Sequence, residues 1–275
     1  MAEKFNGILI CTDLDDTLLT SGDKRLLSEN KQAIEYFMSE GGKFTFSTGR
    51  VPDGIQKVLD IITPNAPIIC YNGVAIYDAK TKKLIYGEYL DKSAKEVAEF
   101  IENIFPDAGI EICTDNAIYF SRENRITQMH RDDEGITGNS LNFRHVFAPW
   151  KKIIFPVESN RMNDIAKTLY RSKFRDKYSF VQSSNNYYEV LPKGVSKGSA
   201  LLKLADILGI DRKRTIGVGD NYNDMEIVQN AGIGIAVANA VPELRAAADI
   251  VTVDNNSNAL AAIISSLDMG IIKFD

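Results

Sequence analysis

The chain has 275 residues, 44% of them apolar and 25% charged, with a net charge of −5. That length exceeds one typical domain and falls short of two large ones, and it is ample for a sizeable core. A mildly acidic balance argues against nucleic acid as a partner, because a phosphate backbone selects dense basic surfaces, and it leaves any anionic ligand dependent on a local positive site.

In chain order, the short apolar run Ile8, Leu9, Ile10, Cys11 stops at acidic residues, as a strand buried on both faces of a parallel sheet would. Residues 28–40 place Ala33, Ile34, Phe37 and Met38 on one helical face, and Gly41-Gly42 ends the helix. Residues 43–47 read as the next strand. Ile55, Val58, Leu59 and Ile62 have the spacing of an amphipathic helix, and 67–70 reads as a third strand. Strand, helix, strand, helix, strand implies parallel crossovers in an open α/β sheet.

Near residue 84 the rhythm changes. Strand-like pieces at 110–112, 117–120, 152–155, 178–181 and 187–190 mix with two helical patterns. One carries Ala94, Val97, Ala98, Ile101, Ile104 and Phe105, and the other spans 163–170. This predicts an α+β module with an antiparallel sheet and helices on one face. Residues 121–140 are polar with weak periodicity and read as a loop or a short helix. After Pro192 the α/β rhythm returns. Ala200, Leu201, Leu204, Ala205 and Leu208 share a helical face, strands follow at 215–219, 233–237 and 250–253, and a last helix covers 258–267. The predicted fold is α/β, with a Rossmann-like open parallel-sheet core from 1–84 and 190–275 interrupted by an α+β domain at 85–189.

No run approaches eighteen apolar residues, so neither a membrane-spanning helix nor a membrane partner is expected. The apolar start, Gly7 to Cys11, is cut short at Asp13 and is too brief for a secretory leader. The three cysteines, Cys11, Cys70 and Cys113, are widely spaced, which excludes a short metal-ligand motif and suits a reducing compartment. The expectation is a soluble, cytoplasmic protein. Its oligomeric state is not legible.

Ligands of open α/β sheets bind beyond the carboxyl ends of the strands. Asp13, Asp15, Asp16 and Thr17 follow the first strand. Thr48, Gly49 and Arg50 follow the second. Asp220, Asn223 and Asp224 follow the strand ending at Gly219, and Lys197 opens the helix after Ser196. Carboxylates converging at one edge repel unless a cation is present, and hard oxygen ligands suit Mg²⁺. A carboxylate can attack phosphorus, and a second one two residues along can donate a proton and later activate water. The two histidines, His130 and His145, lie in the middle module, which leaves this work to carboxylates.

Asp13-Leu14-Asp15-Asp16-Thr17 resembles the Asp-x-Asp-x-Thr signature of haloacid dehalogenase superfamily phosphatases. Ser47-Thr48-Gly49-Arg50 resembles their second motif, Gly194-Val195-Ser196-Lys197-Gly198 the third, and Gly219-Asp220-Asn221-Tyr222-Asn223-Asp224 the fourth. The order, the long insert, Tyr71-Asn72-Gly73 and Asn239-Ala240 are similar to the Cof-like branch, whose members carry a C2-type cap. The resemblance covers essentially the whole chain. It implies a Mg²⁺-dependent phosphatase of small phosphorylated molecules, sugar phosphates or phosphorylated cofactors, acting through an aspartyl-phosphate. Asp13 would be nucleophile and metal ligand. Asp15 would be general acid and base and lend its backbone carbonyl to the metal. Asp220 would complete the protein ligands, with Asp224 supporting the metal or Lys197. The Leu14 backbone, Thr48, the Gly49 amide, Lys197 and Asn223 would hold the phosphoryl group, and residues 85–189 would be the cap that sets specificity.

The chain departs from the family pattern twice. Many relatives have Gly at the position of Asp16, and 256–260 (Asn-Ser-Asn-Ala-Leu) lacks the family's acidic residue and glycine. Plainer readings stand beside several residues. Asp16 fits a solvated or capping carboxylate, Arg50 fits a structural ion pair as well as a substrate contact, and Tyr119, Phe120, Tyr187 and Tyr188 fit sheet packing. Gly217-Val218-Gly219 is no dinucleotide loop, because Tyr222 stands where the third glycine belongs. Two alternatives remain: a phosphomutase or other phosphoryl transferase, and a non-enzymatic phospho-acceptor.

Overall fold

Strand β1 (Leu9–Thr12) is buried at all four residues, as a strand flanked on both edges and both faces must be. The computed structural model describes residues 3–135 and 137–274. After β1, helix α1 (Ser28–Ser39) buries Ile34 and Phe37 and leads into β2 (Lys43–Phe46). The helix predicted from Ile55 to Ile62 is shorter than expected. A 3₁₀ turn (Pro52–Ile55) runs into one α-turn, α2 (Gln56–Leu59). It stops at Leu59, with Asp60 as its cap. Then come β3 (Ile68–Cys70), β4 (Ala75–Asp78) and β5 (Lys83–Gly87).

The middle of the chain supplies α3 (Ala94–Ile104), β6 (Ile110–Cys113), β7 (Ile118–Arg122), α4 (Arg125–Glu134), β8 (Asn139–Ser140), β9 (Lys152–Pro156), α5 (Met162–Tyr170), β10 (Tyr178–Gln182) and β11 (Tyr187–Pro192). The chain then runs through α6 (Lys197–Leu208), β12 (Thr215–Gly219), α7 (Met225–Asn230), β13 (Ile233–Ala236), α8 (Pro242–Ala247), β14 (Ile250–Val251) and α9 (Ala259–Asp268).

Two units result. One comprises residues up to Tyr86 and from Ser196 onward, and the other is Gly87–Val195. The second junction falls later than the sequence reading placed it, because β11 continues to Pro192 in register with Tyr178 of β10.

In the first unit a wholly parallel sheet has the order β14-β13-β12-β1-β2. The chain leaves β1 toward β2 on one side and later returns to β12 on the other, so the strand order reverses at β1. The stretch 67–70, expected as a third parallel strand, pairs along its length with β4, antiparallel, within the three-stranded sheet β3-β4-β5. A single parallel bridge, Ser47 to Ile69, ties it to the end of β2. Apolar periodicity does not distinguish these two pairings, and the hairpin partner in β4 and β5 decides the outcome.

The second unit is a six-stranded sheet, β10-β11-β9-β6-β7-β8, antiparallel except for β7 with β8. Val97, Ala98 and Ile101 of α3 and Ile165 and Leu169 of α5 share one apolar core with Ile110, Ile112, Ile153, Phe155 and Val190. The alternating residues carry buried charge: Lys152 Nζ lies 2.8 Å from Glu189, and His130 of α4 lies 2.8 Å from Glu111. Helix α4 occupies the stretch left as a loop or short helix. Its start is fixed by an Asn124–Thr127 capping box. Phe120 and Tyr188 are buried in packing, Tyr188 stacking on Phe180, which agrees with the plainer reading of these aromatics. All three cysteines are buried. No helix of the described residues is long and apolar enough to cross a membrane.

Candidate active site

Strand order reverses at β1, and open α/β sheets bind ligands beyond the carboxyl ends of the strands at such a point. Asp13 follows β1 directly, its N–H donating to Val218 O at 2.9 Å. Thr48 lies just past β2 and Asp220 just past β12. Lys197 is the first residue of α6, whose start is fixed by a reciprocal capping box between Ser196 and Ser199.

Lys197 is buried, with Nζ 2.7 Å from Asp13 Oδ1 and 2.5 Å from Asp224 Oδ1. The other oxygen of Asp224 accepts from the Asp220 N–H at 3.0 Å and the Asn221 N–H at 3.1 Å. Thr17 Oγ1 donates to Asp220 Oδ1 at 2.6 Å. One oxygen from each of Asp13, Asp220 and Asp224 falls within 4.8 Å of the others. Burial, then the charge of Asp224, pushes the Asp13 carboxyl up to about 7 despite Lys197. Burial, then the charges of Asp224 and Asp13, pushes Asp220 up to about 9. Burial alone would lower Lys197, but Asp13 and Asp224 outweigh it and raise the ammonium above its ordinary value, so it stays charged. The cluster therefore combines a fixed cation with carboxylates that repel one another.

Asp15 takes a different direction. Its backbone is extended, and its carboxylate receives a two-pronged Arg50 guanidinium, Nε at 2.9 Å and Nη2 at 2.6 Å, with Lys24 Nζ at 3.4 Å. Burial would raise this carboxyl, but Arg50 and then Lys24 hold it below its ordinary range. Arg50 also donates to Gly54 O at 3.0 Å. Of its two sequence readings, the ion pair is the one the fold builds. Asp16 is exposed, with φ of +57°, and its carboxylate accepts from Ser21 Oγ. Left-handed backbone favours glycine, and aspartate is among the few other residues that tolerate it.

Thr48 is buried. Its Oγ1 accepts from the Arg50 N–H at 3.1 Å, and Asn223 Nδ2 donates to Asn72 Oδ1 at 3.1 Å. Thr17 and Asn72 stand within the motifs without an expected role, and Lys24 stands outside them. The motif position of Thr17 and the turn-forming Asn72-Gly73 pair were the available signals. The divergent loop after β14 braces the Asp16–Ser21 turn. Asn255 Nδ2 donates to Leu19 O at 2.9 Å and Ser21 Oγ at 3.0 Å, and Asn239 Nδ2 donates to Asp16 O at 2.8 Å.

The family model for haloacid dehalogenase-like hydrolases matches residues 10–264. The chain is 28% identical to 5-amino-6-(5-phospho-D-ribitylamino)uracil phosphatase YwtE of Bacillus subtilis (strain 168), across 95% of this chain and 98% of that one. It is 27% identical to phosphatase YwpJ of the same organism, across 94% and 99%. A solved haloacid dehalogenase-like hydrolase from B. subtilis superposes with a TM-score of 0.83 at 25% identity, covering 94% of this chain and 99% of the other. With its parallel core, its ordered motifs and its α+β insertion, the chain belongs to the haloacid dehalogenase-like hydrolases, in their Cof-like phosphatase branch.

Proposed function

We propose that this enzyme hydrolyses small phosphate monoesters with Asp13 as nucleophile. The observation that carries the reading is the buried Asp13–Lys197–Asp224 chain, with Asp220 beside it, at the strand-order reversal. Lys197 fixes the Asp13 carboxylate, so that one oxygen is oriented and the attack needs little reorganisation. In the first half-reaction that oxygen bonds to phosphorus and the ester P–O bond breaks, and Asp15, released from Arg50 and Lys24 and protonated before the step, gives that proton to the leaving oxygen. In the second, water attacks phosphorus, Asp15 takes the proton, and the P–O bond to Asp13 breaks. Arg50 holds Asp15 ionised, the state that accepts the proton in the second half-reaction, so the first half-reaction requires this ion pair to open and Asp15 to take up a proton. Thr48, the Gly49 and Leu14 backbones, Lys197 and Asn223 are assigned to the phosphoryl oxygens.

The donor set fits Mg²⁺, being hard, close-set carboxylate oxygens whose mutual repulsion a divalent cation relieves. Asp13, Asp220 and the Asp15 backbone carbonyl would hold it. Both Asp224 oxygens are engaged, by Lys197 and by two backbone N–H groups, which suits a supporting role. Bound Mg²⁺ supplies neutralisation of charge on the phosphoryl group.

This has a pH signature. Asp13 and Asp220 have folded pKa values above the ordinary 3.8, so their contribution to stability is complete below that value. It is lost as pH rises through about 7 for Asp13 and about 9 for Asp220. The rise in melting temperature on adding Mg²⁺ is therefore expected to be larger near pH 9 than near pH 6. An equal rise at both would contradict the assignment.

The substrate class is proposed as primary phosphates on sugar, polyol or cofactor skeletons. A relative named for a phosphoribitylamino-uracil substrate supports this choice. The Gly87–Val195 unit is proposed as the selectivity-setting cap. The test is phosphate release from an aryl phosphate and a panel of such esters, with Mg²⁺ and with chelator. Release that stops on chelation supports the reading. Transfer to an added sugar without free phosphate favours a mutase, and a persistent acyl phosphate without turnover favours a phospho-acceptor.

A further inference from the structure

Three consecutive residues, Tyr71, Asn72 and Gly73, have left-handed backbone, with φ of +55°, +56° and +101°. Such conformations are unfavourable for residues other than glycine and persist only where the surroundings impose them, often at functional sites. Here the turn fastens elements of the candidate site together. The Tyr71 N–H donates to Arg50 O at 3.1 Å and the Asn72 N–H to Thr48 O at 3.0 Å, which binds the turn to the loop after β2. On its other side Gly73 lies against the start of α6: a Cβ there would stand 2.1 Å from Ser196 O, beside Lys197.

This geometry puts the buried Asn72 side chain between Gly49 and Asn223. Asn223 Nδ2 donates to Asn72 Oδ1 at 3.1 Å. A Cβ on Gly49 would stand 3.0 Å from Asn72 Nδ2 and 3.2 Å from Oδ1, so glycine at 49 makes room for the amide. Asn72 Nδ2 and Asn223 Oδ1 are both buried without a hydrogen-bond partner among the described residues. A buried polar group left unsatisfied costs about 1–3 kcal/mol, whereas an apolar pair of similar shape would be nearly neutral. An apolar pair would fill this space at less cost, so the Asn72–Asn223 hydrogen bond is accounted for by what it does to the Asn223 amide.

We propose that Asn72 is a positioning residue for the phosphoryl site. It clamps the Asn223 amide through one hydrogen of Nδ2 and sets its spacing from Gly49, so that the second Nδ2 hydrogen and the Gly49 N–H address one phosphoryl group. Asn72 acts through Asn223 and does not itself touch substrate. The inference rests on the phosphate-ester reading of this site.

The test is binding of inorganic phosphate to the full chain with Mg²⁺, measured by calorimetry. The proteins compared are wild type, Asn72→Gly, Asn223→Ala and the double variant. Glycine adopts the left-handed backbone freely, so Asn72→Gly removes the amide and keeps the turn. Each single change is expected to weaken phosphate binding about tenfold, and the double variant to be no weaker than Asn223→Ala alone. Wild-type affinity in Asn72→Gly, or losses that multiply in the double variant as a general structural defect would make them, overturns the proposal. Asn72→Ser, whose hydroxyl is too short to reach Asn223, carries the same expectation if the glycine variant does not fold. A wild type that binds no phosphate defeats the phosphate-ester reading and this inference with it. A wild type that binds, with multiplying losses, defeats this inference alone.

Discussion

Asp13→Asn is expected to lower phosphate release by about 10⁴- to 10⁶-fold, the scale on which loss of a catalytic nucleophile is felt, while the protein stays folded. Asparagine keeps the shape and an oxygen for Lys197 Nζ, 2.7 Å away, but an amide does not displace an alkoxide from phosphorus. Stability should not suffer. Burial and the charge of Asp224 disfavour the ionised carboxylate at this position, and the neutral amide removes that penalty. Lys197 keeps Asp224 as its counter-charge. The metal-free variant should therefore melt no lower than metal-free wild type near pH 8. Phosphate-release assays and thermal melts read both quantities. Residual activity within about a hundredfold of wild type would mean that another group attacks phosphorus.

The second large effect is expected from Lys197→Met. Methionine fills a similar volume and removes the one buried cation among Asp13, Asp220 and Asp224. Truncating one partner of a buried ion pair leaves the other charges uncompensated, which costs about 3–5 kcal/mol. The loss should shrink as pH falls, because Asp13 then takes up a proton and its unpaired charge disappears. Losing an oriented donor to the transferring group should lower kcat by about 10²- to 10³-fold. Denaturant midpoints near pH 8 and pH 6, with kcat at neutral pH, test this. A variant as stable as wild type near pH 8 would show that Lys197 does not neutralise the cluster.

The candidate site was legible because three strands of the parallel sheet end at or just before Asp13, Thr48 and Asp220. A short apolar run followed at once by Asp13, or by Asp220 after Gly219, is a strong local signal. The sheet order then only had to bring those ends together, and β1 between β12 and β2 does so. What lay hidden depended on partners distant in sequence. The strand at 67–70 looks the same whether it extends the parallel sheet or pairs with β4. Helix α4 buries Ile126, Thr127 and His130 in a polar stretch, too few apolar positions to reveal a helical period. Arg50 and Asp15 are separated by 35 positions, so the ion pair between them is not legible in the sequence. Asn72 was visible only as a turn former, since its contact with Asn223 spans 151 positions.

The most direct test of the account is to catch the covalent step. Enzyme and a phosphate-labelled ester would be mixed with Mg²⁺, quenched in acid within a turnover, digested, and the label located by mass spectrometry. The account predicts label on the peptide containing Asp13, formed and lost at rates consistent with turnover, and none in Asp13→Asn. Turnover without any protein-bound phosphate, or label on a residue other than Asp13, would contradict it.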